Sequence, residues 1–374
     1  MRLPPFVRKA ALPVFLLAAS IALFFVPSPP PLALKEGDAV RAKVVETDES
    51  QVEDAGLLKY GSQTLKAEIL DGVHKGKVFS AVNDLRSQLE IDKLFKVGDT
   101  AVVIVKENDE PGKSTIVARD HWRLGWAGVL LFCFSALLCW FGGWTGFKAL
   151  LSFVFSCLVI WKGVIPLALS GWPASWVCFA AVCFMTFVIM YLVAGPTRKG
   201  YAAFLGATIG VFAGLALANV FGYLMNINGA TMPYVQTLLY SGYEKLDLHD
   251  IFIGAMVLAS SGAVMDLAID IASGIEEVAR HNPRLPPASL FRSGMRIGRS
   301  VVGTMTTTLL LAYSGGYITM LMMFSAQGTS PVDFLNSTIV SGEIVKTLVG
   351  SFTLVLVAPF TALVSSRLLC RKGK

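Results

Sequence analysis

Residues 251–278 read IFIGAMVLASSGAVMDLAIDIASGIEEV, an uncharged apolar run that continues without a proline into two aspartates four residues apart, Asp266 and Asp270. A run of this length suits a membrane-spanning helix, since the hydrocarbon core is about 30 Å thick and takes about 20 apolar residues. The helical period puts both aspartates on one face, continued by Ser273 and Glu277. At 1.5 Å per residue, Asp266 lies about 22 Å along from Ile251, in the inner part of the hydrocarbon, and Asp270 nears its boundary. An aspartate at mid-span costs about 2.5–3.5 kcal/mol on insertion scales, and less toward the interface. Asp270 therefore reads as an interfacial charge, and Asp266 as a group turned toward a bundle interior. Two carboxylates so placed repel each other, and a proton or cation relay is the functional expectation.

Composition extends this reading to the whole chain. Of 374 residues, 54% are hydrophobic and 16% charged, and the mean hydropathy is +0.61. Long uncharged runs at this frequency indicate an integral membrane protein in a lipid bilayer. The net charge of +6 then reports topology rather than affinity for nucleic acid. The cysteines (Cys133, Cys139, Cys157, Cys178, Cys183 and Cys370) fall in or beside hydrophobic runs, unlike those of a disulfide-stapled secreted domain. His74, His121, His249 and His281 are scattered without metal-ligand spacing, so neither a metal nor another cofactor is expected. GVHKGK lacks Walker A spacing, and there is no HExxH or GxSxG, so nothing suggests an enzyme.

Three regions follow. Residues 1–33 combine Arg2, Arg8 and Lys9 with an apolar run from Ala11 to Val26, the pattern of a signal peptide or an uncleaved signal anchor, of which the anchor is the favoured reading. Residues 34–121 are polar, with short Val-, Ile- and Thr-rich runs (DAVRAKVVE, TLKAEIL, KGKVFSA, TAVVIVK, STIVARD) separated by turn signals. They predict a compact β-barrel or sandwich, OB-like, with a helical turn near DLRSQLEIDKLF. Residues 122–374 predict seven further spans, near 124–141, 147–168, 173–194, 202–224, 251–271, 301–323 and 343–366. The fold class expected is an all-α polytopic membrane protein of about eight transmembrane helices with an extracytoplasmic β domain.

Charge sets the orientation. GPTRKG, the segment 272–300 and the tail RLLCRKGK carry the basic residues, whereas NINGATMPYVQTLLYSGYEKLDLHD and SAQGTSPVDFLNST are acidic or nearly uncharged. The positive-inside rule then places both termini in the cytoplasm and the β domain outside. All seven tryptophans fall near span ends, as an aromatic belt requires.

Several residues carry functional expectations. Gly206, Gly210 and Gly214, with Ala218 at the same spacing, offer a close-packing helix face, and Ala255, Ala259 and Ala263 form a parallel row. Ser260-Ser261-Gly262 and Ser314-Gly315-Gly316 are candidate helix breaks, and Thr304, Thr306, Thr307 and Thr308 lie between them. Broken helices with hydroxyls near the midplane are how many transporters build ion sites; plain back-bonding of hydroxyls within a helix is the simpler alternative. Lys162 is read as a snorkelling lysine. Glu343 and Lys346 open the last span as interfacial charges or as the outer end of a polar path. The stretch EEVARHNPRLPPASLFRSGMRIGRSV reads as a membrane-surface helix with a proline break, which can also dock a partner.

SSGAVMDLAIDIASGIEEV, MRIGRSVVGTMTTTLLLAYSGG and EIVKTLVGSFTLVLVAPFTALVSS, in this order, resemble the YibE/F family of bacterial membrane proteins. GPTRKGYAAFLGATIGVFAGL and the polar N-terminal block fit too, so the resemblance covers most of the chain. By that resemblance Asp266 matches the family's aspartate, while Asp270 stands at a position usually small or polar. Ser300 stands where aspartate is common and Thr307 where asparagine is common, which implies a modified polar site. The resulting expectation is a bacterial inner-membrane permease or exporter, ion-coupled, with Asp266, Asp270, Ser260, Ser261, Thr304 and Thr307 along its polar path. Its partners would be an ion or small-molecule substrate, and a membrane protein or a second copy. The alternative is a non-transporting envelope scaffold or signalling protein whose β domain binds a partner.

Overall fold

The period-two alternation in residues 38–121 forms five strands: β1 (Asp38–Ala55), β2 (Leu58–Ile69), β3 (Val78–Arg86), β4 (Thr100–Glu107) and β5 (Ser114–His121). They close into a barrel in the order β1-β2-β3-β5-β4, antiparallel except where β3 meets β5. The computed structural model describes residues 5–26, 38–56, 58–87, 92–107 and 114–370. The proline-rich PSPPPLALK exit of the expected anchor, and the centre of the expected helical turn at 84–95, lie outside them. The chain separates into two units, Pro31–Leu137 and Met1–Pro30 with Leu138–Lys374.

Small and branched side chains fill the barrel, among them Ala42, Val44, Leu65, Ala67, Ala81, Val103 and Ile116, with Phe95 as the largest plug. Phe95 comes from a connection without regular structure, so its backbone needs partners. Buried Gln63 supplies them, accepting from the Phe95 amide at 3.0 Å and donating to its carbonyl at 2.8 Å. Asn83 Nδ2 donates to the Lys93 carbonyl at 2.6 Å and to Gln63 Oε1 at 3.2 Å. Two buried amides thus replace a strand's ladder.

At the barrel surface Arg41 grips Asp71 through two parallel bonds, Nη2 to Oδ1 at 2.8 Å and Nε to Oδ2, and lies 5.3 Å over the Trp122 ring. The Arg41 hydrogen bonds hold the Asp71 carboxyl below the usual carboxylate range. A depressed native value means stabilisation that is present above the unfolded value, about pH 4, and lost as pH falls through the native one. Acidification below about pH 4 is therefore expected to speed amide exchange at Leu70, whose N–H donates to the Arg41 carbonyl at 2.8 Å. Asp71→Asn is expected to remove this acid response while leaving exchange near neutral pH faster than in the wild type.

The second unit is helical. Its elements, with the helix that enters it from the barrel unit, are α1 (Pro5–Phe25), α2 (Leu124–Val159), α3 (Ile165–Leu169), α4 (Ala174–Ala194), α5 (Arg198–Leu224) and α6 (Val235–Tyr240). There follow α7 (Leu248–His281), α8 (Pro287–Gly316), α9 (Ile318–Ala326), α10 (Pro331–Asn336) and α11 (Thr338–Leu369). Side-chain caps set several starts: Thr197 accepts from Gly200, and Asp247 from Asp250. Asp250 also accepts from the Ser175 amide at 3.0 Å, tying the first turn of α4 to that of α7.

The expected eight spans are corrected to five, or six if a bent pair counts as one, among the described residues. Three features account for the difference. Among the described residues the apolar stretch of α1 is Leu16–Phe25, which is not counted as a span. Leu124–Leu169, read as two spans, is one 46-residue helical run through a π-helical turn at Ile160–Val164. Its only non-helical residue inside α2 is Gly143, at φ 51° and ψ −129°. There the chain turns so sharply that a methyl group on Gly146 would lie 2.1 Å from the Leu138 carbonyl oxygen. Finally, the span read at 301–323 is split at Tyr317, where α8 and α9 meet at 64°.

In lipid, helices associate through close packing rather than through exclusion of water. α11 packs against α5, α7 and α8, and α7 packs against α4 and α5. The closest seam joins α5 to α11. A methyl group at Gly206 would lie 2.6 Å from the Thr361 Cα, and one at Gly210 2.0 Å from Val357 Cγ2. At Gly214 it would meet Thr353 Oγ1 at 2.1 Å. Gly206→Ala forces backbone apart and is expected to destabilise the detergent-purified protein by about 1–3 kcal/mol. Gly303→Ala, with nothing within 4 Å of the added carbon, is expected to leave the thermal midpoint unchanged.

Candidate functional site

α7 is buried along Phe252, Met256, Ser260, Val264, Leu267 and Ile271, and it turns Ala255, Ala259, Gly262, Asp266, Asp270 and Glu277 outward. Both aspartates are thus exposed on the helix face opposite Ser260 and Ser261, which are buried. The two serines are satisfied locally, Ser260 Oγ donating to the Val257 carbonyl at 3.3 Å and Ser261 Oγ to that of Leu258 at 2.7 Å. α7 is unbroken through Ser260-Ser261-Gly262.

α8 has a matching outward face: Arg292, Arg296, Arg299, Ser300, Gly303, Thr304, Thr307 and Thr308 are all exposed. Gly294 lies against Ile275 and Gly298 against Ile271, so α8 runs antiparallel to α7. Five residues further along α8 and five back along α7, about 1.4 turns, Gly303 and Thr304 come to the level of Asp266. Thr304 Oγ1 donates to the Val301 carbonyl at 2.9 Å and Thr307 Oγ1 to that of Gly303 at 3.2 Å, which leaves their oxygens free to accept. Gly262 and Gly303 have open space where a Cβ would sit. Asp266 and Asp270 on α7, and Thr304 and Thr307 on α8, are thus exposed, each on the side of its helix turned away from the α7–α8 contact, whereas Ser260 and Ser261 are buried.

Ser260 instead borders a small cavity of about 10 Å³ with Gly214, Gly350 and Thr353, room for one water. Thr361 and Ser365, fully buried on α11, have hydroxyls without a hydrogen-bond partner among the described residues.

The other end of α8 holds a second cluster. The helix stops at Gly316, and the Tyr317 N–H bonds back to the Ser314 carbonyl at 3.1 Å. Across from the break, Lys346 Nζ on α11 donates to Glu343 Oε1 at 2.7 Å and to the Tyr317 hydroxyl at 3.2 Å. The ammonium lies 5.1 Å from the Phe252 ring centre and 5.5 Å from that of Tyr317. Both charged side chains are only 16% exposed. Glu343 Oε2 is buried and has no hydrogen-bond partner among the described residues. An adjoining cavity of about 290 Å³ is bordered by Tyr313, Tyr317, Glu343 and mostly apolar side chains.

The charges at 343 and 346 are thus buried as a pair. Their i, i+3 spacing was visible in the sequence; the participation of Tyr317 and Phe252, from two other elements, was not. Lys162 Nζ donates to the Val26 carbonyl at 2.9 Å and lies 4.9 Å from the Trp161 ring centre. Among the described residues, no three His, Cys, Asp or Glu side chains are placed to hold a metal ion.

Two family models match the chain. One, described as YibE/F-like protein, covers residues 130–371. The other, described as YibE/F family N-terminal domain, covers residues 38–118. No curated protein and no solved structure matches.

Proposed function

The chain belongs to the YibE/F family of multi-pass membrane proteins, and from that premise we propose that it is an ion-coupled permease or exporter of the bacterial inner membrane. The observation that carries this is the exposure of Asp266 on a membrane-length helix. A carboxylate facing hydrocarbon at mid-span costs about 2.5–3.5 kcal/mol, and Asp266 is exposed on α7, as Gly303, Thr304 and Thr307 are on α8. A wetted groove at that level resolves the conflict, and a groove through the bilayer lined by carboxylates and hydroxyls is a route for ions. In this route Asp266 binds and releases the coupling proton or cation, Thr304 and Thr307 offer acceptor oxygens, and Asp270 continues the path toward the basic cytoplasmic side. Ser260 and Ser261 serve the inner seam of the bundle instead.

Charge bias supports the orientation. Arg198 and Lys199, the arginines of residues 280–299, and the tail from Arg367 all fall on one side of α4, α5, α7, α8 and α11, which is the cytoplasmic side by the positive-inside rule. In this reading the barrel is extracytoplasmic.

The test is proton or cation flux into proteoliposomes, wild type against Asp266→Asn. A separate barrel unit favours the scaffold alternative, in which deletion of residues 38–121 abolishes function in cells and Asp266→Asn has no effect.

A further inference from the structure

We propose that α7 and α8 form a two-fold interface with a second copy of this chain, the acidic outward face of α7 in one copy lying against the basic outward face of α8 in the other. The first observation is what α7 offers to lipid. Where α4 and α5 expose Phe184, Phe187, Ile209 and Phe212, α7 exposes no large apolar side chain among the described residues. Its outward positions, from Ala255 through Ala259 and Gly262 to Asp266 and Asp270, are small or acidic. Lipid chains gain little from such a face. A second helix can approach it closely, and close packing with polar contacts is what joins helices in a bilayer.

Charge and level identify the occupant. Gly298 lies against Ile271 and Gly294 against Ile275, so on this antiparallel pair Asp270 stands level with Arg299 and Glu277 with Arg292. All four are exposed. The ion pairs of this region join Lys199 to Glu276, and Arg280 and His281 to Glu277, which leaves Asp270 and Arg299 unpaired among the described residues. A two-fold axis along the membrane normal keeps every residue at its depth. It sets α7 of one copy antiparallel to α8 of the other, with Asp270 at the level of the second copy's Arg299 and, by symmetry, the reverse contact as well. One interface thus neutralises both rows at once. Anionic lipid headgroups would satisfy the arginines alone, and a partner of a single charge sign would satisfy only one helix. The same contact covers Asp266 with Gly303 and Thr304 of the second copy, which lie at its level, and takes the carboxylate off the hydrocarbon. That this seam also walls the ion path rests on the transport reading; that it forms does not.

Förster transfer between donor- and acceptor-labelled copies of the full-length protein, reconstituted together in liposomes at low density, tests the interface. Transfer above that of randomly distributed molecules is expected for the wild type. Asp270→Arg alone and Arg299→Asp alone each set like charges against one another twice per dimer, and each is expected to weaken association at least about tenfold. Mixing the two variants, one carrying the donor and the other the acceptor, pairs opposite charges at both contacts and is expected to restore transfer. Ala259→Trp, a bulky change on the outward face that leaves every charge in place, is expected to weaken association to a similar degree. Circular dichroism confirms that each variant is folded. Random-level transfer in the wild type, single charge variants that associate like the wild type, folded charge variants that do not recover on mixing, or association indifferent to Ala259→Trp would each overturn the proposal. None of these outcomes depends on flux.

Discussion

Replacing Lys346 by Met is expected to destabilise the protein by about 3–5 kcal/mol, the typical effect of removing one partner from a buried ion pair. The reason is what remains. Glu343 already has one oxygen without a partner among the described residues, and without the ammonium its other oxygen loses the 2.7 Å bond. The carboxylate would then sit among Phe252, Tyr313 and Tyr317 with the Tyr317 hydroxyl as the nearest polar group able to turn toward it. Glu343→Gln with Lys346→Met removes both charges and is expected to recover most of the loss, since the pair's net worth is small compared with the cost of an orphaned charge. Denaturant melts of the two single variants and the double variant form the cycle that isolates the coupling. A Lys346→Met loss under about 1 kcal/mol would show the pair to be solvated, as surface pairs are.

The pair also shows which parts of the fold were legible in sequence. The five barrel strands were, because alternation and turn residues are local: TLKAEIL and TAVVIVK carry their own period. The α5 glycine row was visible as spacing, and the structure supplies its partners on α11. The number of spans was not legible. Hydropathy records how apolar a run is, but a single left-handed residue, Gly143, decides the path of the 46-residue run around it. Likewise the Ser-Ser-Gly and Ser-Gly-Gly triplets look alike as sequence. Only the second ends a helix; the first is held helical by tight packing on α4 and α11, with Gly254 against Ala174 and Gly350 against Ser260. The direction of the Asp266 face was not legible. The helical period groups Asp266 with Asp270 and says nothing about which side of α7 the bundle takes.

That direction sharpens the expected effect at Asp266. An aspartate buried in the bundle would be a packing element, and its amide replacement would act mainly on stability. An exposed aspartate without a hydrogen bond among the described residues leaves none for Asp266→Asn to break, so the variant is expected to fold and melt like the wild type. What changes is charge. The amide cannot bind and release a proton, and it loses the charge that draws a cation to mid-membrane. Coupled flux is expected to fall by about tenfold or more, the factor that one lost charge-assisted interaction gives at a rate-determining step. Asp270→Asn, nearer the interface, is expected to have a smaller effect, and Ser260→Ala, on the buried face, none beyond packing.

Ion flux in proteoliposomes under an imposed proton or cation gradient, wild type beside Asp266→Asn at matched protein incorporation, is the most direct measurement. The expected result is gradient-driven flux in the wild type that falls to near the level of protein-free vesicles in the variant. Equal flux in both, or flux in neither above protein-free vesicles, would contradict a path along α7 and α8.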